Sequence, residues 1–88
     1  MNKEQELLVV LTEECGEVIQ ASSKILRFGL NSKNPYSNKN NKEQLEQELG
    51  DLMCLIRALT ENGTIDLDSV LAAAEKKRKK LEKYLKNQ

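Results

Sequence analysis

No histidine and no tryptophan occur among the 88 residues. Without histidine there is no Ser–His or Cys–His nucleophile system and no zinc held by imidazole. Any general base must be a carboxylate, a lysine or a hydroxide held by a metal. The two cysteines, Cys15 and Cys54, do not form a Cys-x-x-Cys spacing. With no signal peptide in view, they are expected to be reduced, buried, small apolar side chains of a cytoplasmic protein. There is no excess charge of either sign, 14 basic residues against 14 acidic, which argues against a general electrostatic grip on nucleic acid. No apolar run approaches the length of a membrane span. Proline occurs once and aromatic residues three times.

What remains is a helical pattern in one small domain, residues 1–88. The first helix is expected over about 3–28, with Leu8, Leu11, Cys15, Val18, Ser22 and Ile25 as its inward stripe. At about 1.5 Å per residue it would be roughly 35–40 Å long. Gly29 supplies a left-handed residue after its last turn. Residues 29–41 carry the only proline and are rich in Asn and Ser, so they read as a loop. Asn41 is the expected N-cap of a second helix over about 42–62, with Glu43 complementing its dipole and Leu45, Leu49, Leu52, Ile56 and Leu59 facing inward. Asn62-Gly63 ends it. Asp66 caps a third helix, about 67–85, whose stripe is Val70, Ala74, Leu81 and Tyr84 and whose C-terminal part is strongly basic. The fold class is all-α, with an antiparallel core pair. Three helices do not close a bundle, so a four-helix-bundle type completed by homo-oligomerisation is expected.

Two acidic signatures stand out, Glu13-Glu14-Cys15-Gly16-Glu17 and Glu48-Leu49-Gly50-Asp51. Each places two carboxylates three residues apart, one above the other on a helix face. Glu14 and Glu17 immediately precede Cys15 and Val18; Glu48 and Asp51 immediately precede Leu49 and Leu52. Both pairs are therefore expected at the border of the packed stripe. If the helices pack antiparallel, four carboxylates converge. Like charges that close call for a hard divalent cation. Gly16 and Gly50 lie inside the pairs, at a cost of up to about 1 kcal/mol each, which close helix approach or room for a ligand would justify.

With Glu14-x-x-Glu17, Glu48-x-x-Asp51 and the segment from Ala21 to Gly29 that carries Lys24 and Arg27-Phe28-Gly29, the chain resembles the MazG-like all-α nucleoside triphosphate pyrophosphohydrolases. The resemblance spans nearly the whole chain. It implies cleavage of a nucleoside triphosphate between the α- and β-phosphates, giving a monophosphate and pyrophosphate. It implies Mg2+, with Mn2+ as a substitute, held by Glu14, Glu17, Glu48 and Asp51, with one of these or Glu13 orienting or deprotonating the attacking water. Lys24, Arg27, Lys77 and Lys80 are the expected phosphate partners; Lys77 interrupts the third stripe at an inward position. Phe28 and Tyr36 are stacking candidates, Phe28 equally a core residue. A homodimer or homotetramer in the cytoplasm is expected. The alternative is a non-catalytic helical interaction module that keeps the fold.

Overall fold

In the computed structural model, which describes residues 1–87, three helices follow one another: α1 Lys3–Phe28, α2 Asn41–Glu61 and α3 Leu67–Tyr84. Their ends follow local chemistry. Asn2 caps α1 with a capping box: the Gln5 N–H donates to Asn2 Oδ1 at 2.8 Å and the Asn2 N–H to Gln5 Oε1 at 3.0 Å. Gly29 stops α1 with φ +93° and ψ 163°, a positive-φ conformation but not the left-handed helical one expected, and its N–H reaches Ile25 O. The cap of α2 is Asn40, not Asn41. Asn40 Oδ1 accepts from the Glu43 N–H at 2.8 Å, and the Glu43 carboxylate accepts from the Asn40 N–H at 3.1 Å. The three-residue spacing to Glu43 makes Asn40 the cap. Gly63, at φ +75°, turns the chain after α2, and Asp66 caps α3 through the Ser69 N–H and hydroxyl.

Displaced from the cap, Asn41 lies inside the first turn of α2 and is buried. Its Nδ2 donates to Gly29 O at 3.0 Å, and its N–H donates to Ser32 O at 2.9 Å. The end of α1 is thereby tied to the start of α2. With Glu17 meeting Glu48 further along, α1 and α2 run antiparallel. Among the described residues there is no strand, only one bridge between Lys33 and Asn40 within the connecting loop.

The packing faces differ from the expected stripes. On α1 the covered positions are Leu7, Leu11, Glu14, Val18, Ala21 and Ile25, whereas Leu8, Cys15 and Ser22 are exposed. On α2, Asn41, Leu45, Glu48, Leu52, Leu55 and Leu59 face inward and Leu49 is exposed. Leu7 to Val10 is an apolar run, so the sequence period admits either phase, and packing against α2 selects the one a residue earlier. Both cysteines are exposed, against expectation, and unpaired; the same shift carries Cys15 off the packed face.

Only α1 and α2 pack along their length. No residue of α3 is buried, and of its expected stripe only Val70 is partly covered. The radius of gyration, 15.6 Å, exceeds the roughly 12 Å of a compact domain of this length. Ala21 and Leu59 are the only buried hydrophobic side chains among the described residues.

A Cβ added at Gly16 or Gly50 meets nothing within 4 Å. Close helix approach therefore does not explain these glycines, and open space beside the carboxylates remains. Gly50→Ala is expected to raise stability by up to about 1 kcal/mol in urea unfolding. A loss of stability would show that another molecule covers this face.

Candidate metal centre

The phase of the α1–α2 packing sets the site. Glu14 and Glu48 lie within the packed faces rather than at their borders, and Glu48 retains only 3% of its surface. Ligand oxygens of Glu14, Glu17 and Glu48 lie within 4.8 Å of one another. Glu17, one turn beyond Glu14, sits at the exposed mouth of the cluster. Asp51 is half-buried one turn beyond Glu48. Its carboxylate is not part of this triad, but its charge acts on both Glu14 and Glu17.

The triad has little internal compensation. Glu48 Oε1 accepts from Gln44 Nε2 at 2.7 Å. Glu48 Oε2 and Glu14 Oε2 are buried with no hydrogen-bond partner. An ionised carboxylate with an orphaned buried oxygen is costly, so such groups take up a proton or a cation. Burial, then the charges of Asp51, Glu48 and Glu13, push the Glu14 carboxyl above the ordinary value of 4.5. The Glu17 carboxyl is pushed up chiefly by its close contact with Glu48, the kind two carboxyls make by sharing a proton. An all-oxygen donor set with two unfilled acceptors fits a hard divalent cation.

A cleft of about 150 Å³ opens beside the triad, lined by Glu17, Gln20, Ala21, Lys24, Gln44 and Glu48, with Asn34 at its loop side. Of the expected cationic partners, Lys24 alone lines it. Arg27 instead lies over the Phe28 ring, 5.0 Å from its centroid. Lys77 and Lys80 are exposed on α3 and line no part of the cleft. Glu13 is exposed, and it reaches the site only as a charge felt by Glu14. Gln20, Gln44 and Asn34 were not foreseen. The spacing of Gln44 and Glu48, one helical turn, was the available signal for the only donor bound to the triad.

A sequence model of the MazG nucleotide pyrophosphohydrolase domain matches residues 2–85. The chain belongs to this family. The match takes in all three helices, both acidic pairs and the loop between them. No curated protein and no solved structure gives a significant match. MazG enzymes are typically dependent on a divalent metal, and the acidic triad supplies a place for one in this member.

Two outcomes are expected of this MazG domain. Mg2+ at a hundredfold excess over its Kd stabilises the folded chain by about 2.7 kcal/mol, read as a rise in Tm, and Glu48→Gln abolishes the rise. In chelator, the folded chain holds the Glu14 and Glu17 protons more tightly than the unfolded chain does. Their contribution to the unfolding free energy therefore falls as pH rises from 4.5 through the raised values. Glu48→Gln removes the main cause at Glu17, so the difference between wild type and variant in denaturant titrations isolates this fall. A variant with the wild-type pH slope would show that the carboxyls do not interact.

Proposed function

We propose that the chain is a magnesium-dependent nucleoside triphosphate pyrophosphohydrolase that cleaves an NTP or dNTP between the α- and β-phosphates. The observation that carries this reading is the convergence of Glu14, Glu17 and Glu48, with two buried oxygens lacking partners, in a MazG domain. Glu14, Glu17 and Glu48 hold the cation, and Asp51 joins them directly or through water. Bound Mg2+, or Mn2+ in its place, supplies neutralisation of phosphate charge and a lowered pKa for water. Glu17 is the residue best placed to accept a proton from the attacking water. It is at the exposed mouth of the cluster, where water reaches it. Lys24, across the cleft, meets the phosphates.

The test is product analysis with each common NTP and dNTP and Mg2+, with Glu48→Gln in parallel. Monophosphate and pyrophosphate are expected, with kcat reduced at least about 100-fold in the variant, since even outer-shell changes at metal sites cost 10–100-fold. Diphosphate with orthophosphate would place cleavage at the wrong bond. Metal binding without turnover of any nucleotide would favour a non-catalytic module.

The working form is a homo-oligomer on this reading. Leu71, Leu81, Tyr84 and Leu85 lie exposed along α3 and just past its end, and Ile19 and Met53 lie exposed on α1 and α2. Among the described residues only Ala21 and Leu59 are buried apolar side chains, a small core for a chain of this length. A neighbouring copy covering α3 would complete the helical bundle, and it is also the route by which Lys77 and Lys80 would reach a phosphate. Sedimentation equilibrium is expected to show a dimer or tetramer, with Leu71→Lys shifting it towards monomer and lowering Tm. A stable, fully helical wild-type monomer would overturn this. No helix is long and apolar enough to cross a membrane. The nucleotide substrates and the unpaired cysteines accord with a cytoplasmic location.

A further inference from the structure

A second cavity, of about 240 Å³, lies between the end of α1 and the loop that follows it. Its lining is mainly apolar, with Phe28, Pro35 and Tyr36 as its flat surfaces and Ser32 and Lys33 at its edge. Lys24 and Asn34 line both this cavity and the acidic cleft, so the two adjoin. The cleft is built for cations and phosphate; the cavity offers ring faces. Phe28 does not enter the core. It keeps 60% of its surface exposed at the tip of α1. Arg27, which is not part of the cavity, lies over its ring.

The loop that carries Asn34 and Tyr36 is ordered by its own hydrogen bonds. Asn34 Oδ1 accepts from the Tyr36 N–H at 2.8 Å, an Asx turn, and the Asn34 N–H reaches Lys39 O at 3.2 Å. Asn41, held to Gly29 and Ser32, closes the base of the loop. An open cavity of this volume, with ring faces at its surface, suits one planar ring and is too small for a whole nucleotide. Together the cavity and the adjoining cleft come within the range of small-molecule sites, about 300–1,000 Å³.

We propose that this cavity is the nucleobase subsite: the base of the nucleotide whose phosphates meet the acidic triad stacks against Phe28 and Tyr36, with its sugar passing Lys24 and Asn34. The assignment rests on the pyrophosphohydrolase reading for the identity of the ligand. It makes Phe28 and Tyr36 binding residues and the loop of residues 30–40 the specificity element. Stacking on an aromatic side chain is tolerant of base identity, so the aromatic pair accounts for the requirement for a base and not for a choice among bases.

The test uses nucleosides, which carry no phosphate, titrated into the 15N-labelled protein in chelator. Shifts of the amides of residues 28 and 32–36 are expected, in wild type and in Glu48→Gln alike. In turnover, Tyr36→Ala and Phe28→Leu raise KM about tenfold or more with kcat within twofold, and Phe28→Tyr restores KM. Tyr36 is 95% exposed, so its removal does not threaten the fold. Unchanged KM in both variants, or nucleoside shifts confined to other parts of the chain, would overturn the subsite. Because the titration needs neither metal nor turnover, a chain that proves catalytically inert would refute the pyrophosphohydrolase reading and still report on the cavity.

Discussion

Two glutamates are packed into the one extensive helix–helix contact among the described residues, and the rest of the structure follows from that burial. Glu14 and Glu48 take positions in the α1 and α2 faces that leucines occupy one turn away. Each leaves a buried oxygen without a partner. In a low-dielectric contact such groups are destabilising by themselves, and removing their repulsion by proton or cation is what makes the interface tenable. The interface and the candidate metal centre are therefore one object. On the proposed reading, stability and metal affinity are coupled through the same carboxylates, as expected wherever a cation is held by the folded state alone.

The open shape assigns roles to the remaining elements. α1, α2 and their loop contain the acidic cleft and the aromatic cavity, so one chain offers both side by side. α3 contributes to neither and buries nothing of its own. Among the described residues Arg78 pairs with Glu75 at 2.8 Å and with Glu82 at 2.6 Å, exposed pairs along α3 that add little to stability. A helix with an apolar stripe, a basic surface and no buried residue is the element on which the proposed contact with another copy rests. The loop is ordered because Asn41 spends its side chain on α1, which the more obvious use of an asparagine as a cap would have prevented.

Much of the architecture was legible in the residues. Three helices, their breaks at Gly29 and Gly63, and the Asp66 cap follow from local signals that act within a few residues. The two acidic pairs were visible as i,i+3 spacings. The phase of the helix faces was not. In α1 the run from Leu7 to Leu11 is apolar on nearly all sides, so a stripe starting at Leu7 and one starting at Leu8 satisfy the same periodicity. That single-residue ambiguity moved Glu14 from the rim to the interior and turned Cys15 outward. The choice of Asn40 over Asn41 turned on a spacing to Glu43 that the sequence did display.

Composition and spacing by themselves determined that the chain is helical, that its chemistry must be carried by carboxylates and lysines, and that Glu14, Glu17, Glu48 and Asp51 are the acidic groups to consider. These are consequences of which side chains exist and of the 3.6-residue turn. Only the tertiary structure decided which carboxylates meet, that Gln44 serves Glu48, that Lys24 alone of four expected cations faces the cleft, and that Phe28 lines a cavity instead of a core. The physical reason is that a helix fixes the angle between its own side chains but not the angle at which it meets its neighbour. That second angle comes from packing summed over the whole interface.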